Sequence, residues 1–252
     1  MAQKVLSVRH YSPELFSFRV ERPESFRFRS GEFVMIGLPN AEKPVYRAYS
    51  VASANWADHI EFFSIKVPDG PLTEHLQRIQ PGDYVLIRGK STGTLVLDAL
   101  TPGRNLYLLS TGTGFAPFAS VIQDPESYER FDHVVAVQTC RTVAELGYIQ
   151  QLREHLQSDP DLSEFIGDKL SYLTSATREP HPCQERVTDL LRSGKLFDLV
   201  GREPFDPALD RAMICGSMAM LKETKEICEA MGLVEGANSR PGTYVVERAF
   251  VD

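Results

Sequence analysis

No apolar run in the 252-residue sequence approaches the roughly 20 residues a helix needs to cross a bilayer, and the opening MAQKVLSVRH has no apolar stretch like that of a secretory leader. The expectation is a chain with no membrane span that works in the cytoplasm. Cysteine is scarce. Cys140, Cys183, Cys215 and Cys228 stand far apart, with no C-x-x-C pair and no histidine cluster beside them. That spacing argues against structural zinc and against a plant-type iron–sulfur cluster, so no metal is expected. Scattered thiols also suit a reducing compartment. A basic stripe is missing too: the net charge is −7, with 12 Lys+Arg against 11 Asp+Glu in residues 1–100 and 15 against 23 in residues 101–252. An acidic balance of this kind fits nucleic acid poorly. Lys4, Arg9, Arg19, Arg22, Arg27 and Arg29 crowd the N-terminal end. They are either a local patch for an acidic protein partner or ordinary solvated charges on strand faces.

The chain has two textures, and its 42% hydrophobic content suffices for two cores. Up to about residue 98, short β-branched and aromatic runs (VLSVRHY, LFSFRVE, EFVMIGL, YRAYSVAS, IEFFSIKV, DYVLIRG) are broken by Pro, Gly and Asn. Many short strands with regular turn signals predict an all-β antiparallel barrel or sandwich. One segment, PLTEHLQRI, spaces Leu72, Leu76 and Ile79 as a single short helix would. Around residues 101–103 the texture changes, and apolar strands (NLYLLS, HVVAVQTC, KLSYLT, AMICGS) then alternate with amphipathic helices before a last strand, TYVVERAF. This is the βαβ rhythm of an open parallel sheet. The expected domains are residues 1–100 and 101–252. We find no internal repeat and no low-complexity tract.

Residues 109–117, LSTGTGFAP, follow a hydrophobic strand and open a helix. Gly112 and Gly114 let the backbone approach an anion, and the helix start offers free N–H groups. The third glycine of the dinucleotide fingerprint is missing, so the turn reads as a pyrophosphate cradle or as a plain tight turn. At the end of the next strand an NAD site usually places an acid for the ribose 2′-hydroxyl, whereas this chain has Arg141. A guanidinium pairs with a 2′-phosphate instead. Thr177 and Arg178 follow a third strand, with Arg186 shortly after, and Cys215-Gly216-Ser217 ends a fourth. Guanidinium groups converging there favour NADP over NAD, although a surface salt bridge is the commoner role of any one arginine. Cys215 beside Gly216 leaves room for a flat ring or is simply a buried core thiol. In the first half, Arg47-Ala48-Tyr49-Ser50 lies on an alternating strand, so Arg47 and Tyr49 share one face and Ala48 and Ser50 the other. Ser64-Ile65-Lys66-Val67 runs through Pro71-Leu72-Thr73 into the short helix, a second candidate anion site.

Taken in order, RAYS (47–50), SIKVPDGPLT (64–73), TGTLVLDAL (92–100), STGTGFAPF (110–118), TCRTVAELGY (139–148), CGS (215–217) and VERAFVD (246–252) resemble the ferredoxin–NADP+ reductase family, specifically its bacterial-type ferredoxin (flavodoxin) members. The match covers nearly the whole chain. The resemblance implies a Greek-key antiparallel barrel for FAD followed by an open parallel α/β sheet for NADP(H). It also implies electron transfer between NADPH and ferredoxin or flavodoxin by a soluble enzyme, which we expect to be monomeric. It assigns Arg47 to the FAD diphosphate, Tyr49 to packing on the flavin and Ser50 to flavin N5. Ala48 and Ser64 stand beside them, and Ile65, Lys66 and Val67 line the ring edge. Pro71, Leu72 and Thr73 cap the diphosphate, Thr113 reaches toward both rings, and Cys215 flanks the nicotinamide. Gly112, Gly114, Gly216 and Ser217 cradle NADP, while Arg141, Thr177, Arg178 and Arg186 hold its 2′-phosphate. At the C-terminus Glu247 tunes protonation, Ala249 takes the place of the plant-type tyrosine over the flavin, and Phe250 stacks on the adenine. Departures from the pattern are Phe63 for Tyr, Glu74 near the proposed phosphate, and Gln184-Glu185 before Arg186, where Glu185 is expected to draw Arg186 aside.

Two other functions share these features. A flavin reductase or the reductase component of an oxygenase, using NADH or NADPH, would stand on the same two domains. A binding module that senses flavin or nucleotide would keep the fold without turnover.

Overall fold

The computed structural model describes residues 1–39, 44–67 and 70–248. Its first sheet comprises β1 (Ala2–His10), β2 (Leu15–Glu21), β3 (Phe33–Gly37), β4 (Arg47–Ser50), β5 (His59–Ile65) and β6 (Tyr84–Thr92), in the order β4-β3-β6-β1-β2-β5. Every pairing in it is antiparallel, and a bridge from Val51 to Phe62 joins β4 to β5, so the sheet closes into a Greek-key barrel. Closure removes the exposed strand edges an open sheet would carry.

The barrel core is aromatic, with Phe16, Phe18 and Phe62 beside Val20, Val34 and Ile36. Along β2 the alternate face is buried as well, which breaks the in/out pattern expected of a lone barrel. Leu15 and Phe63 point outward into the core of the second half, where Phe63 stacks on Tyr148 at 4.4 Å and 10°. The Tyr11 hydroxyl donates across the same seam to Gln151 Oε1 at 2.7 Å.

The predicted short helix is α1 (Thr73–Leu76), a single turn. Leu72, Leu76 and Ile79 are buried in the barrel core, as their spacing requires.

The second sheet is parallel throughout. It contains β7 (Asn105–Thr111), β8 (His133–Cys140), β9 (Leu170–Ala176), β10 (Asp210–Gly216) and β11 (Tyr244–Arg248), in the order β11-β10-β7-β8-β9. Helices α2 (Ala116–Ile122), α3 (Pro125–Arg130), α4 (Gly147–Ser158) and α5 (Pro160–Ile166) supply residues to the core on one face. On the other face lie α6 (Val187–Ser193), α7 (Lys195–Val200) and α8 (Met218–Ala230). The chain leaves β7 toward β8 on one side and later returns to β10 on the other. The carboxyl ends of β7 and β10 therefore flank a topological switch point, where open α/β sheets bind their ligands. Among the described residues no helix is long and apolar enough to cross a membrane.

Candidate functional site

At the switch point, β7 runs into a 3₁₀ turn, Gly112–Phe115, that leads directly into α2. The two glycines of the turn answer different demands. Gly112 has φ +54° and nothing within 4 Å of where a Cβ would stand, so its conformation favours glycine and its outer side is open. A Cβ on Gly114 would lie 2.3 Å from the Cys215 carbonyl oxygen, so the turn rests on the end of β10 and only glycine permits that approach. Gly216 meets Thr111 in the same way, with 2.3 Å between its notional Cβ and Thr111 Oγ1. Ser217 then caps α8 by accepting from the Met220 N–H. Gly112, Thr113, Gly114, Cys215, Gly216 and Ser217 thus lie together at the ends of β7 and β10. Burial holds the Cys215 thiol far above its ordinary range, and the neighbouring Glu247 raises it further, so Cys215 is a neutral wall residue.

On the barrel side, β4 carries Arg47, Ala48, Tyr49 and Ser50 opposite Ile36, Met35, Val34 and Phe33 of β3. The buried Ser64 hydroxyl donates to the Tyr49 hydroxyl at 3.2 Å. Burial raises the Tyr49 pKa, while Ser64 and Arg47 pull it down, consistent with Arg47 lying on the Tyr49 face. Arg47 donates to the Tyr46 carbonyl and makes no ion pair among the described residues. Ile65 and Lys66 are half-buried and Val67 is exposed. Leu72 buries its side chain in the barrel, so it offers only backbone to a ligand, and the Thr73 hydroxyl donates to the Val67 carbonyl. Pro71 and Leu72 line a groove of about 490 Å³ together with Leu38, Val45 and His75. Glu74 pairs with Arg78 at 3.3 Å, which offsets the acid the sequence places at this turn.

The two halves meet at a carboxylate. Glu247 on β11 lies opposite Cys215 on β10, and the Thr94 N–H donates to its Oε2 at 3.1 Å. The Thr94 hydroxyl donates to the Val246 carbonyl at 2.9 Å, and Asn238 Nδ2 donates to the Gly93 carbonyl, also at 2.9 Å. A Cβ on Gly93 would stand 3.1 Å from Glu247 Oε2 and 3.4 Å from the Glu32 Cα. The Glu32 carbonyl in turn accepts from Val51, the residue after Ser50, at 3.0 Å. Ser50, Glu247 and Cys215 are therefore linked through Glu32 and Gly93, two residues that sequence reasoning missed. Burial pushes the Glu247 pKa up to about 7, with Glu32 adding to the rise and the Thr94 and Leu95 N–H groups opposing it. Ala249 and Phe250 lie outside the described residues.

Beyond β8 and β9 the predicted arginines share one edge. The Arg178 N–H donates to the Arg141 carbonyl at 2.9 Å, and the Thr177 hydroxyl to the Cys140 carbonyl at 3.1 Å. Arg186 starts α6. The expectation for Glu185 is corrected: its carboxylate pairs with Lys195, a residue of the next helix, rather than with Arg186. Among the described residues Arg141, Arg178 and Arg186 enter no ion pair.

The N-terminal basic patch is largely dispersed. Arg19 pairs with Glu61, and Arg29 with Glu32 and Asp98. Arg22 and Arg27 donate to backbone carbonyls.

Comparison with known proteins gives a consistent set of relatives. The oxidoreductase FAD-binding domain family matches residues 4–96. A flavodoxin/ferredoxin–NADP reductase of Rhodobacter capsulatus is 55% identical over 251 residues, spanning 99% of this chain and 93% of its own length. A ferredoxin–NADP reductase of Pseudomonas aeruginosa is 51% identical over 251 residues, with 99% and 97% covered. Among solved structures, a ferredoxin NADP+ reductase from Neisseria gonorrhoeae with bound FAD and NADP superimposes with a TM-score of 0.89 at 31% identity, covering 99% of this chain and 98% of its own.

Proposed function

The chain belongs to the ferredoxin/flavodoxin–NADP reductase family, and from that membership and the site geometry we infer that its barrel holds FAD and its parallel sheet binds NADP(H). The reaction is electron transfer between NADPH and a one-electron carrier, ferredoxin or flavodoxin. One observation carries this reading: the nucleotide turn after β7, Cys215 on β10 and Glu247 on β11 form one junction with the barrel strand that bears Ser50.

The residues present fit both groups. For FAD, Arg47 offers a guanidinium without a carboxylate partner among the described residues, and Tyr49 offers an aromatic face held by Ser64. Ile65, Lys66 and Val67 continue that wall, and Pro71, Leu72 and Thr73 offer backbone at the end of the groove. For NADP(H), Gly112 is open where a Cβ would otherwise stand, and Gly114, Gly216 and Ser217 shape the floor. Arg141, Arg178 and Arg186, with Thr177, supply cations and a hydroxyl for the 2′-phosphate. Bound flavin supplies the chemistry that converts a two-electron hydride into single electrons.

This chain's own contribution is placement. Ser50 presents a hydroxyl at the barrel edge, and Cys215 closes the opposite side with a thiol that stays uncharged. Glu247 holds or releases a proton near neutral pH, within reach of both halves. The domain boundary we propose is at residues 100–101, between the end of β6 and the start of β7. We further propose that the protein acts as a cytoplasmic monomer and binds no nucleic acid.

Rapid anaerobic mixing of FAD-loaded protein with NADPH tests the assignment. Ser50→Ala is expected to slow flavin reduction by about 10- to 100-fold, in the range of a lost catalytic hydrogen bond. Reduction at the wild-type rate would refute the role given to Ser50.

A further inference from the structure

In the row of β8 side chains facing α2 and α4, Val134, Ala136 and Cys140 are apolar, and Gln138 is the exception. Its side chain is completely buried. Because a carbonyl only accepts, the amide nitrogen must be the atom facing Gly112, and Nε2 donates to the Gly112 carbonyl at 3.0 Å. Among the described residues Gln138 Oε1 has no hydrogen-bond partner. Two residues on, Cys140 lies against the same glycine, whose backbone N–H faces its sulfur. Both side chains rise from one face of β8 by the two-residue period of a strand. They meet the nucleotide turn from beneath, at the residue whose left-handed conformation shapes it.

An amide with one half buried and unpartnered costs stability that an apolar side chain of the same shape would not. Gly112 is half-buried, and its outer side is open. The cost at Oε1 offsets what the Nε2 bond contributes to fold stability. What Gln138 does supply is a fixed direction for the Gly112 peptide, and hence for the N–H groups that follow it into α2.

We propose that Gln138 is a positioning residue for nucleotide binding, holding the Gly112 peptide so that the turn presents its open side to the NADP(H) pyrophosphate. This rests on the reading of the 112–115 turn as the nucleotide cradle. The proposal predicts opposite signs for stability and affinity. In FAD-loaded protein, Gln138→Met is expected to raise the Kd of NADP+, read by difference absorbance, about tenfold, which is about 1.4 kcal/mol. Its Tm should equal or exceed that of the wild type, and the KM for the carrier should not change.

Gln138→Glu supplies a test that does not depend on the methionine variant folding. When protonated its carboxyl donates to the Gly112 carbonyl as the amide does, and when ionised it repels that oxygen. Its Kd is expected to match the wild type at low pH and to climb with pH more steeply than the wild-type value. A lowered Tm with unchanged Kd in Gln138→Met, or a Gln138→Glu affinity that tracks the wild type at every pH, would overturn the proposal. Gly112→Ala separates the two levels of the claim. If it weakens NADP+ binding while Gln138→Met does not, the cradle stands and the role of Gln138 falls. If neither changes Kd, both fall.

Discussion

Glu247 and Cys215 are register partners on adjacent parallel strands, so a carboxylate and a thiol share the wall of the junction between the barrel and the sheet. Burial leaves the thiol protonated and brings the carboxyl to about 7, which makes Glu247 the titrating member of the pair.

The sign of the Glu247 effect on stability follows from that shift. The folded chain keeps a proton up to about 7 that the unfolded chain releases near its ordinary value of 4.5. The associated stability is complete below the unfolded value, declines as pH rises toward 7, and is absent above it. Glu247→Gln removes this decline. Relative to wild type it is expected to gain about 1–3 kcal/mol between low and neutral pH, measured by urea unfolding across that window. An unchanged difference between the two proteins at all pH values would contradict the proton-holding state of Glu247.

Arg178 is expected to discriminate the phosphorylated nucleotide. Arg178→Ala should raise the KM for NADPH by about 10- to 100-fold, the range of a lost charge-assisted hydrogen bond, and leave the KM for NADH where it was. Steady-state turnover with each nucleotide checks this. Equal losses with both would place Arg178 away from the 2′-phosphate.

Gly114→Ala should separate the two cofactors. Its new Cβ would meet the Cys215 backbone at 2.3 Å, which a backbone carbonyl cannot yield without moving β10 away from the turn. The expected protein retains FAD, since the barrel is untouched, and loses measurable NADP+ binding. Flavin content and a nucleotide titration on one preparation decide the point.

At the seam, Tyr148 is buried and stacked on Phe63, with Tyr11 and Phe115 edge-on to it. Tyr148→Ala removes the ring that joins the two cores and is expected to cost about 3–5 kcal/mol, as large-to-small changes of buried aromatics do. Thermal unfolding measures it, and a loss below about 1 kcal/mol would mean the cores are not coupled through this ring.

Much of this fold is legible in the sequence because its periodicities are strong. The six barrel strands and five parallel strands fall where β-branched runs occur, and the texture change near residue 101 separates the two sheets. The short helices α3 and α5 also carry signals in the sequence: Asp124-Pro125 and Asp159-Pro160 each place a capping carboxylate before a proline at the helix start. The two glycines of the turn after β7 are legible because φ restricts Gly112 and crowding restricts Gly114 to glycine. The partner of Glu185 is not, because Lys195 lies a helix away and only the packing of α6 against α7 brings them together. Glu32, Gly93 and Thr94 stay hidden for the same reason, as each meets Glu247 only after more than 150 residues of chain have folded between them. Gln138 is the one amide of HVVAVQTC, and its burial follows only from the packing of β8.

The central claim is that a flavin held by the barrel receives hydride from a nicotinamide delivered by the neighbouring sheet. Anaerobic titration of the FAD-loaded protein with NADPH, followed by visible absorption, tests it most directly. The flavin bands are expected to bleach with one NADPH consumed per FAD. Protein that binds both nucleotides and keeps its flavin oxidised in excess NADPH would contradict it.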